Sequence, residues 1–205
     1  MLKRTTCATC LRAKSSCICH WVTPVASCVE VLILQHPLEV HETKGTARLL
    51  HLSLACSRLV VGEVFEEALL KDWLIGDDKT AVLLYPDSPE DTGLDLLKPP
   101  TLAPELLQKP EQLRLVVLDG TWRKSRKMLY TNPLLQGLPR LPLRDMPASN
   151  YRIRKAHLPD QLSTLEATCA ALAQLQGDTT DTLALASLLA AFDGFVSQQL
   201  VYQPK

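Results

Sequence analysis

The stretch LRLVVLDGTWRKSRKM, residues 113–128, decides the fold of this chain. Its first six residues are apolar except for Arg114 and rich in leucine and valine, which predicts a buried β-strand. Asp119 and Gly120 then predict a tight turn, and the basic segment from Arg123 to about Tyr130 predicts a helix. A buried strand that turns directly into a helix is a repeating unit of α/β proteins.

The rest of the chain repeats this alternation. Apolar runs predict strands at residues 28–36 and 80–85, and a weaker one near 138–143. Helices are predicted at 46–58, with Thr46 as N-cap, and at about 181–200. A capping box of Ser163 and Glu166 predicts a helix to Gln176, ended by Gly177. Residues 90–111 are expected to form a long connection. These elements predict an α/β fold with a mostly parallel sheet flanked by helices.

Composition limits the possible function classes. The chain has 205 residues, of which 46% are hydrophobic and 21% charged, so it can form a packed core. No apolar run reaches the roughly 18 residues of a membrane span, and we expect no membrane partner. Met1-Leu2-Lys3-Arg4 resembles the start of a signal peptide, but polar residues follow, so we expect a cytosolic protein.

Net charge is zero, but the charges are segregated along the chain. Residues 115–157 carry nine lysines and arginines against only Asp119 and Asp145. Such a block can form an anion-binding face, or it can be a solvated basic surface, and charge alone does not separate the two.

Four cysteines near the N-terminus form the pattern C-x2-C-x6-C-x-C: Cys7, Cys10, Cys17 and Cys19. Four thiolates at this spacing predict a structural zinc site. Because two ligands in a C-x-C segment strain one tetrahedron, His20 is an alternative to one sulfur. A pair of disulfides is the competing interpretation, but a reducing cytosol disfavours it.

The turn after residue 118 is the candidate functional site, because ligands of open α/β sheets bind beyond the carboxyl ends of the strands. Asp119 offers a carboxylate, Gly120 permits close backbone approach, and Trp122 offers a stacking face. The alternative is purely structural: the aspartate caps the helix and the tryptophan packs inward. The residues alone leave both interpretations open.

The DGTW motif followed by RKSRKM resembles the D-x-T-W signature of the DTW-domain family. Five further blocks resemble that family in the same order. They are the cysteine motif, HPLE with TARLL (36–39 and 46–50), Leu84-Tyr85-Pro86, YRIRK (151–155) and STLEA (163–167). Gly45 departs from the family pattern, where a polar residue is expected, and this leaves the role of its loop open.

The resemblance implies a SPOUT-like α/β fold with a C-terminal trefoil knot, comprising a zinc-binding flap (residues 1–27) and a catalytic domain (28–205). It implies transfer of the 3-amino-3-carboxypropyl (acp) group from S-adenosylmethionine to N3 of a tRNA uridine. A methyltransferase, a ribosomal RNA acp transferase and a non-enzymatic RNA-binding module are the alternatives. Oligomeric state is left open.

Residue roles follow from the same resemblance. Asp119 is the expected catalytic base. The expected S-adenosylmethionine-binding residues are Tyr85, Pro86, Leu118, Gly120, Thr121, Trp122, Ser163, Thr164 and Glu166. The expected RNA contacts are Arg12, Lys14, Arg123, Lys124, Arg126, Lys127, Arg152, Arg154 and Lys155.

Overall fold

The computed structural model of the protein describes residues 5–86, 99–144, 149, 162–177 and 180–201. Its five strands are β1 (Glu30–Gln35), β2 (Ser57–Val61), β3 (Thr80–Leu84), β4 (Leu113–Asp119) and β5 (Arg140–Leu141). Its helices are α1 (Ala47–Ser53), α2 (Glu67–Ile75), α3 (Trp122–Thr131), α4 (Pro133–Gln136), α5 (Thr164–Gln176) and α6 (Thr180–Val201).

The strands form one sheet in the order β2-β1-β4-β3-β5, and every neighbouring pair is parallel. The predicted α/β fold with a parallel sheet is therefore confirmed. In the β1–β4 pair, Gln35 lies directly beside Asp119. The carboxyl ends of the two central strands thus place these two polar side chains together at one edge of the sheet.

Both faces of the sheet are covered, which explains why its central strands are apolar almost throughout. Odd-numbered residues of β1 and β4, such as Ile33 and Val117, pack in one core with α1, α5 and α6. Even-numbered residues, such as Leu34 and Val116, pack in a second core with α2, α3 and α4. This alternation decides which helices approach each side chain at the end of a strand.

The N-terminal segment belongs to the first of these cores. Cys10 and Ile18 are buried in it, and the Trp21 indole donates a hydrogen bond to Gln198 Oε1 of α6 at 2.6 Å. A Cβ atom on Gly194 of α6 would lie 2.2 Å from the Trp21 ring, so only glycine allows this approach. The cysteine-rich segment is therefore packed on the last helix.

One helix was predicted too long, and another was missed. The helix predicted at 46–58 ends at Ser53, because Ala55 N–H bonds to the Val25 carbonyl and the chain then enters β2. Thr46 occupies the N-cap position of α1, but its side chain caps nothing there and instead accepts a hydrogen bond from Leu165 N–H at 3.2 Å. Helix α2 was not predicted at all.

The last helix also corrects an expectation about apolar length. Its segment Ala184–Val201 is long and apolar enough to cross a membrane by composition, with a mean hydropathy of 1.3. Leu188, Phe192 and Phe195 of this segment are buried in the core, and 33% of the segment as a whole is buried.

Candidate active site

Asp119 is a buried carboxylate, 5% exposed, at the carboxyl end of β4. Its Oδ2 accepts a hydrogen bond from Gln35 Nε2 at 2.8 Å, and its Oδ1 accepts one from Thr164 Oγ1 at 2.6 Å. Because Asp119 is odd-numbered, it points towards the face covered by α5, which begins at Thr164. The site thus brings together β1, β4 and α5.

The start of α5 is a capping box, as the sequence predicted. Ser163 Oγ accepts a hydrogen bond from Glu166 N–H, and the Glu166 carboxylate accepts one from Ser163 N–H at 2.7 Å. Glu166 also accepts hydrogen bonds from the Ser149 hydroxyl. Ser163 and Glu166, both predicted to bind the cofactor, are buried and act on the helix itself. Thr164, the third residue of α5 that was predicted to bind the cofactor, donates its hydroxyl hydrogen bond to Asp119.

An aromatic pair lies on the other side of the same sheet edge. Trp122 is 53% exposed, and its ring stacks on that of buried Tyr85, with centroids 5.1 Å apart and an angle of 21°. The Arg140 guanidinium lies over the Tyr85 ring, 5.1 Å from its centroid. An indole supported on one face and half exposed is a surface on which a nucleobase can stack.

Gly120 and Thr121 form the turn that joins β4 to α3. A Cβ atom on Gly120 would lie 3.0 Å from Lys124 Cβ and 3.4 Å from Ser125 N, so the first turn of α3 approaches this backbone closely. Thr121 is exposed at the N-cap of α3, whereas Leu118 is half-buried against the second core. Thr121, not Asp119, occupies the N-cap position of α3, and the Asp119 side chain accepts hydrogen bonds from β1 and α5.

Two lysines of the predicted RNA-binding set fasten α3 to the rest of the molecule. Lys124 Nζ pairs with Glu39 Oε1, and Lys127 Nζ pairs with Glu63 Oε1, each at 2.8 Å. Hydrogen bonds from Lys127 and from His36 lower the pKa of Glu63. His36 Nδ1 accepts a hydrogen bond from Leu38 N–H, so the neutral ring carries its proton on Nε2 and donates to Glu63.

The other predicted RNA contacts have varied surroundings. Arg126 donates to the Tyr130 hydroxyl at 2.8 Å, while Arg123 and Lys14 are exposed. Arg12 donates hydrogen bonds to the carbonyls of Thr43 and Gly45 and lies over the Phe195 ring. It therefore ties the Gly45 loop to α6. Three predicted contacts lie outside the described residues: Arg152, Arg154 and Lys155.

The four N-terminal cysteines form one cluster, with their sulfur atoms all within 4.8 Å of one another. Cys7 Sγ lies 3.6 Å from Cys19 Sγ, and Cys10 Sγ lies 3.7 Å from Cys17 Sγ. Zinc–sulfur bonds of about 2.3 Å in a tetrahedron place neighbouring sulfurs about 3.8 Å apart. The cluster fits a zinc ion, and the sulfurs are too far apart for the disulfides of about 2.05 Å considered above.

His20 is not needed to complete this ligand set. It is exposed, and its ring packs against Trp21 with centroids 4.8 Å apart.

Two thiols of the cysteine cluster have pKa values shifted in opposite directions. Backbone N–H groups of Cys10 and Thr9 lower the pKa of Cys7 to about 6, whereas burial and neighbouring thiols raise the pKa of Cys19 to about 12. A divalent cation removes this conflict by favouring all four thiolates.

The site also contains residues that the sequence analysis did not single out. Gln35 was visible as the one amide in the run CVEVLILQH, but its partner could not be known without the register of β1 and β4. Arg140 gave no signal, because it lies between prolines in a segment with a weak strand pattern.

A family comparison decides the relationship of the chain. The DTW domain matches residues 4–200. The chain belongs to the DTW-domain family. The match spans the cysteine cluster, the strand-end aspartate and the start of α5, so all parts of the site lie within the family domain.

Several curated relatives carry a common name. The chain is 29% identical to mouse tRNA-uridine aminocarboxypropyltransferase 2 over 85% of its length, covering 57% of that protein. It is 31% identical to the Drosophila melanogaster protein of the same name, covering 85% of the chain and 68% of that protein. It is 29% identical to Arabidopsis thaliana tRNA-uridine aminocarboxypropyltransferase A, over 65% of the chain and 53% of that protein.

The DTW-domain chain thus spans between about half and two thirds of the length of these relatives. No solved structure matches it.

Proposed function

We propose that the chain transfers the acp group of S-adenosylmethionine to N3 of a tRNA uridine, releasing methylthioadenosine. The observation that carries this proposal is the DTW-domain match over residues 4–200, together with relatives named tRNA-uridine aminocarboxypropyltransferase. The site agrees with it, because a fixed carboxylate and an exposed aromatic ring lie at the same edge of a parallel sheet.

In the proposed reaction the uridine N3 forms a bond to the sulfur-bound carbon of the aminocarboxypropyl arm, while the bond between that carbon and sulfur breaks. The sulfonium takes the bonding electrons and becomes the neutral thioether of methylthioadenosine. The N3 proton must leave, and Asp119 is the proposed acceptor. General-base assistance of this kind is typically worth about 10²–10⁴-fold.

Gln35 and Thr164 are proposed positioning residues for this carboxylate. Their hydrogen bonds fix Asp119 from β1 and α5, so the carboxylate need not reorganise when the substrate binds. The exposed face of Trp122 is the proposed stacking surface for a nucleobase, and Tyr85 supports its other face. Pro86, Gly120, Thr121 and Leu118 line the same strand ends and stay proposed parts of the S-adenosylmethionine site.

We extend the proposal to the fold relationship and the metal. A SPOUT-like knot would lie in the C-terminal part of the chain, where the family block at residues 151–155 falls outside the described residues. The cysteine cluster is proposed to hold structural zinc, because its four sulfurs leave no coordination position for a substrate. The exposed Arg123 and Lys14 are proposed tRNA phosphate contacts, which would make binding salt dependent.

The test is mass spectrometry of nucleosides from unmodified tRNA incubated with the protein and S-adenosylmethionine. We expect acp-uridine in the tRNA and methylthioadenosine in equal amount. A methylated nucleoside together with S-adenosylhomocysteine would show that the protein is a methyltransferase. Formation of acp-uridine only in ribosomal RNA would show that ribosomal RNA, and not tRNA, is the substrate. If the protein binds tRNA but neither binds nor consumes S-adenosylmethionine, the enzyme proposal fails.

A further inference from the structure

Arg140 is a buried cation whose charge is not balanced by any described carboxylate. It is 9% exposed and lies in β5 at the edge of the sheet. Among the described residues, its polar contact is a hydrogen bond from Nη1 to the Pro86 carbonyl at 3.3 Å, and its Nε has no hydrogen-bond partner. A guanidinium has five N–H donors, and the described residues supply a hydrogen-bond acceptor for one of them. Burying a charge in this way is costly unless a counter-ion binds.

The register of the sheet places this side chain on the same face as the aromatic pair of the candidate active site, opposite to the face of Asp119. Arg140 pairs with Leu83 of β3, so both side chains lie on the same face of the sheet. Tyr85, two residues after Leu83, lies on that face as well, and the Arg140 guanidinium covers its ring. The same tyrosine supports Trp122. Tyr85 therefore contacts both the Arg140 guanidinium and the ring of Trp122, which is the proposed stacking surface.

The other expected anion-binding group of the site is already occupied. The first N–H groups of α5 are natural partners for a carboxylate. However, Leu165 N–H donates to Thr46 Oγ1, and Glu166 N–H donates to Ser163 Oγ. The start of this helix therefore has few donors left for a ligand, and the amino-acid carboxylate of the co-substrate needs another partner.

We infer that Arg140 binds the α-carboxylate of the aminocarboxypropyl group of S-adenosylmethionine. This inference rests on the proposed function. Depth favours this ligand over an RNA phosphate, because a nucleic-acid backbone stays at the surface while Arg140 is nine-tenths buried. A planar guanidinium matches a carboxylate with two parallel hydrogen bonds. Holding the arm by its carboxylate would fix the carbon that is transferred relative to the nucleobase.

The test compares three probes on wild-type protein and Arg140→Gln by isothermal titration calorimetry. S-adenosylmethionine and S-adenosylhomocysteine contain the carboxylate, whereas methylthioadenosine lacks the whole arm. We expect the variant to bind the first two about 10- to 100-fold more weakly, as for loss of a hydrogen bond to a charged group. Its affinity for methylthioadenosine should be unchanged. Arg140→Lys should lie between, because lysine keeps the charge but not the fork.

Thermal unfolding of each variant gives the control for folding, and Arg58→Gln, an exposed arginine of β2, gives the control for charge. Equal weakening of all three probes would show that Arg140 only supports Tyr85, and the inference would be wrong. Unchanged affinity for all three with weaker tRNA binding would assign Arg140 to a phosphate. If wild-type protein binds none of the three probes, the proposed function itself fails.

Discussion

Asp119 receives a hydrogen bond from Gln35 on Oδ2 and one from Thr164 on Oδ1, and these two donors come from other elements of the fold. An asparagine at this position keeps the shape but loses the charge and the ability to accept a proton. Its amide group would face either Gln35 or Thr164, and the threonine hydroxyl can rotate to accept from it. The substitution therefore separates the chemistry of the carboxylate from its structural role.

We predict that Asp119→Asn lowers kcat by about 10²–10⁴-fold while the Kd for S-adenosylmethionine stays near the wild-type value. Single-turnover transfer to tRNA and calorimetric binding measure the two effects. Thr164→Val is the matched control, since it removes one hydrogen bond but leaves the carboxylate. It should cost only about 3- to 10-fold in kcat. Unchanged turnover in Asp119→Asn would remove this residue from the mechanism.

At this scale the sequence predicted residue types better than residue partners. Asp119 could be singled out because it follows the most apolar strand, and the Ser163–Glu166 capping box was identified from four letters. The RNA contacts of Lys124 and Lys127 stay a prediction, whereas their ion pairs with acids more than sixty residues earlier were not predicted. Only the packing of α3 against the segments that follow β1 and β2 could reveal those pairs.

Helix α3 is fastened by these two ion pairs, which differ in burial. The Glu39 side chain is 9% exposed and that of Lys124 is 26% exposed, whereas Lys127 is 60% exposed. Removing Lys124 leaves a nearly buried carboxylate without its partner, which is much more costly than losing a surface pair.

We predict that Lys124→Met lowers the free energy of unfolding by about 2–3 kcal/mol, and Lys127→Met by no more than about 1 kcal/mol. Urea denaturation monitored by tryptophan fluorescence measures both. The double variant Glu39→Gln/Lys124→Met should recover part of the loss, because it leaves no unpaired charge. Equal losses in the two single variants would contradict the role assigned to burial.

The cysteine-rich segment is the second element with a testable role. Substituting Cys7 and Cys10 with serine removes two of four proposed ligands, one of which is buried in the core. We predict loss of about one equivalent of zinc and a lower Tm, measured by metal analysis and calorimetry. Cys56→Ser, an exposed cysteine outside the cluster, should change neither. Absence of zinc from protein purified without chelators would contradict the metal assignment.

Among the elements, those with long apolar runs or clear caps could be predicted from sequence. Strands β1, β3 and β4 and helix α5 lie within two residues of their predicted bounds. Strand β2 was merged with the preceding helix, because only Leu54, Ala55 and Cys56 separate them and SRLVV continues the apolar pattern. Such a short connection is set by the contact of Val25 with Leu54, which is not visible in a local pattern.

At the scale of the whole molecule, ion pairs stabilise the end of the sheet at which the central strands begin. Arg114, 7% exposed in β4, pairs with Glu30 of β1 and with Asp77, and donates to the Trp73 carbonyl. Burial opposes ionisation of Glu30, but the hydrogen bonds and charge of Arg114 and Lys79 outweigh it and lower the pKa of Glu30. The buried charged group is thus the carboxylate of Asp119 at the carboxyl end of β4, and the guanidinium of Arg114 near its amino end.

This arrangement gives a pH dependence with a definite sign. Because the pKa of Glu30 is lower in the folded protein than its ordinary 4.5, the pair stabilises the fold above that pH, and the contribution is lost as pH falls through the folded pKa. We predict that Glu30→Gln costs about 1–2 kcal/mol at neutral pH, less than a fully buried pair because Glu30 is 32% exposed.

Urea denaturation at neutral pH and at about pH 3 checks this prediction, since protonation of Glu30 in the wild type should remove most of the difference. A difference of the same size at both pH values would show that Glu30 acts through packing and not through charge. Asp77→Asn is a weaker control at the same edge, because the Asp77 side chain is 83% exposed.

The contact of Trp21 with Gly194 and Gln198 joins residues 177 positions apart in the chain. During synthesis on the ribosome, the Trp21 indole therefore cannot be covered until residues 194–198 have been made. Strand β1 likewise waits for β4, its neighbour in the sheet, which follows 84 residues later. Segments that expose apolar surface until distant partners are made are prone to aggregate in the meantime. Because its four ligands lie within thirteen residues, a zinc ion in the cysteine cluster would order residues 7–19 before α6 is made.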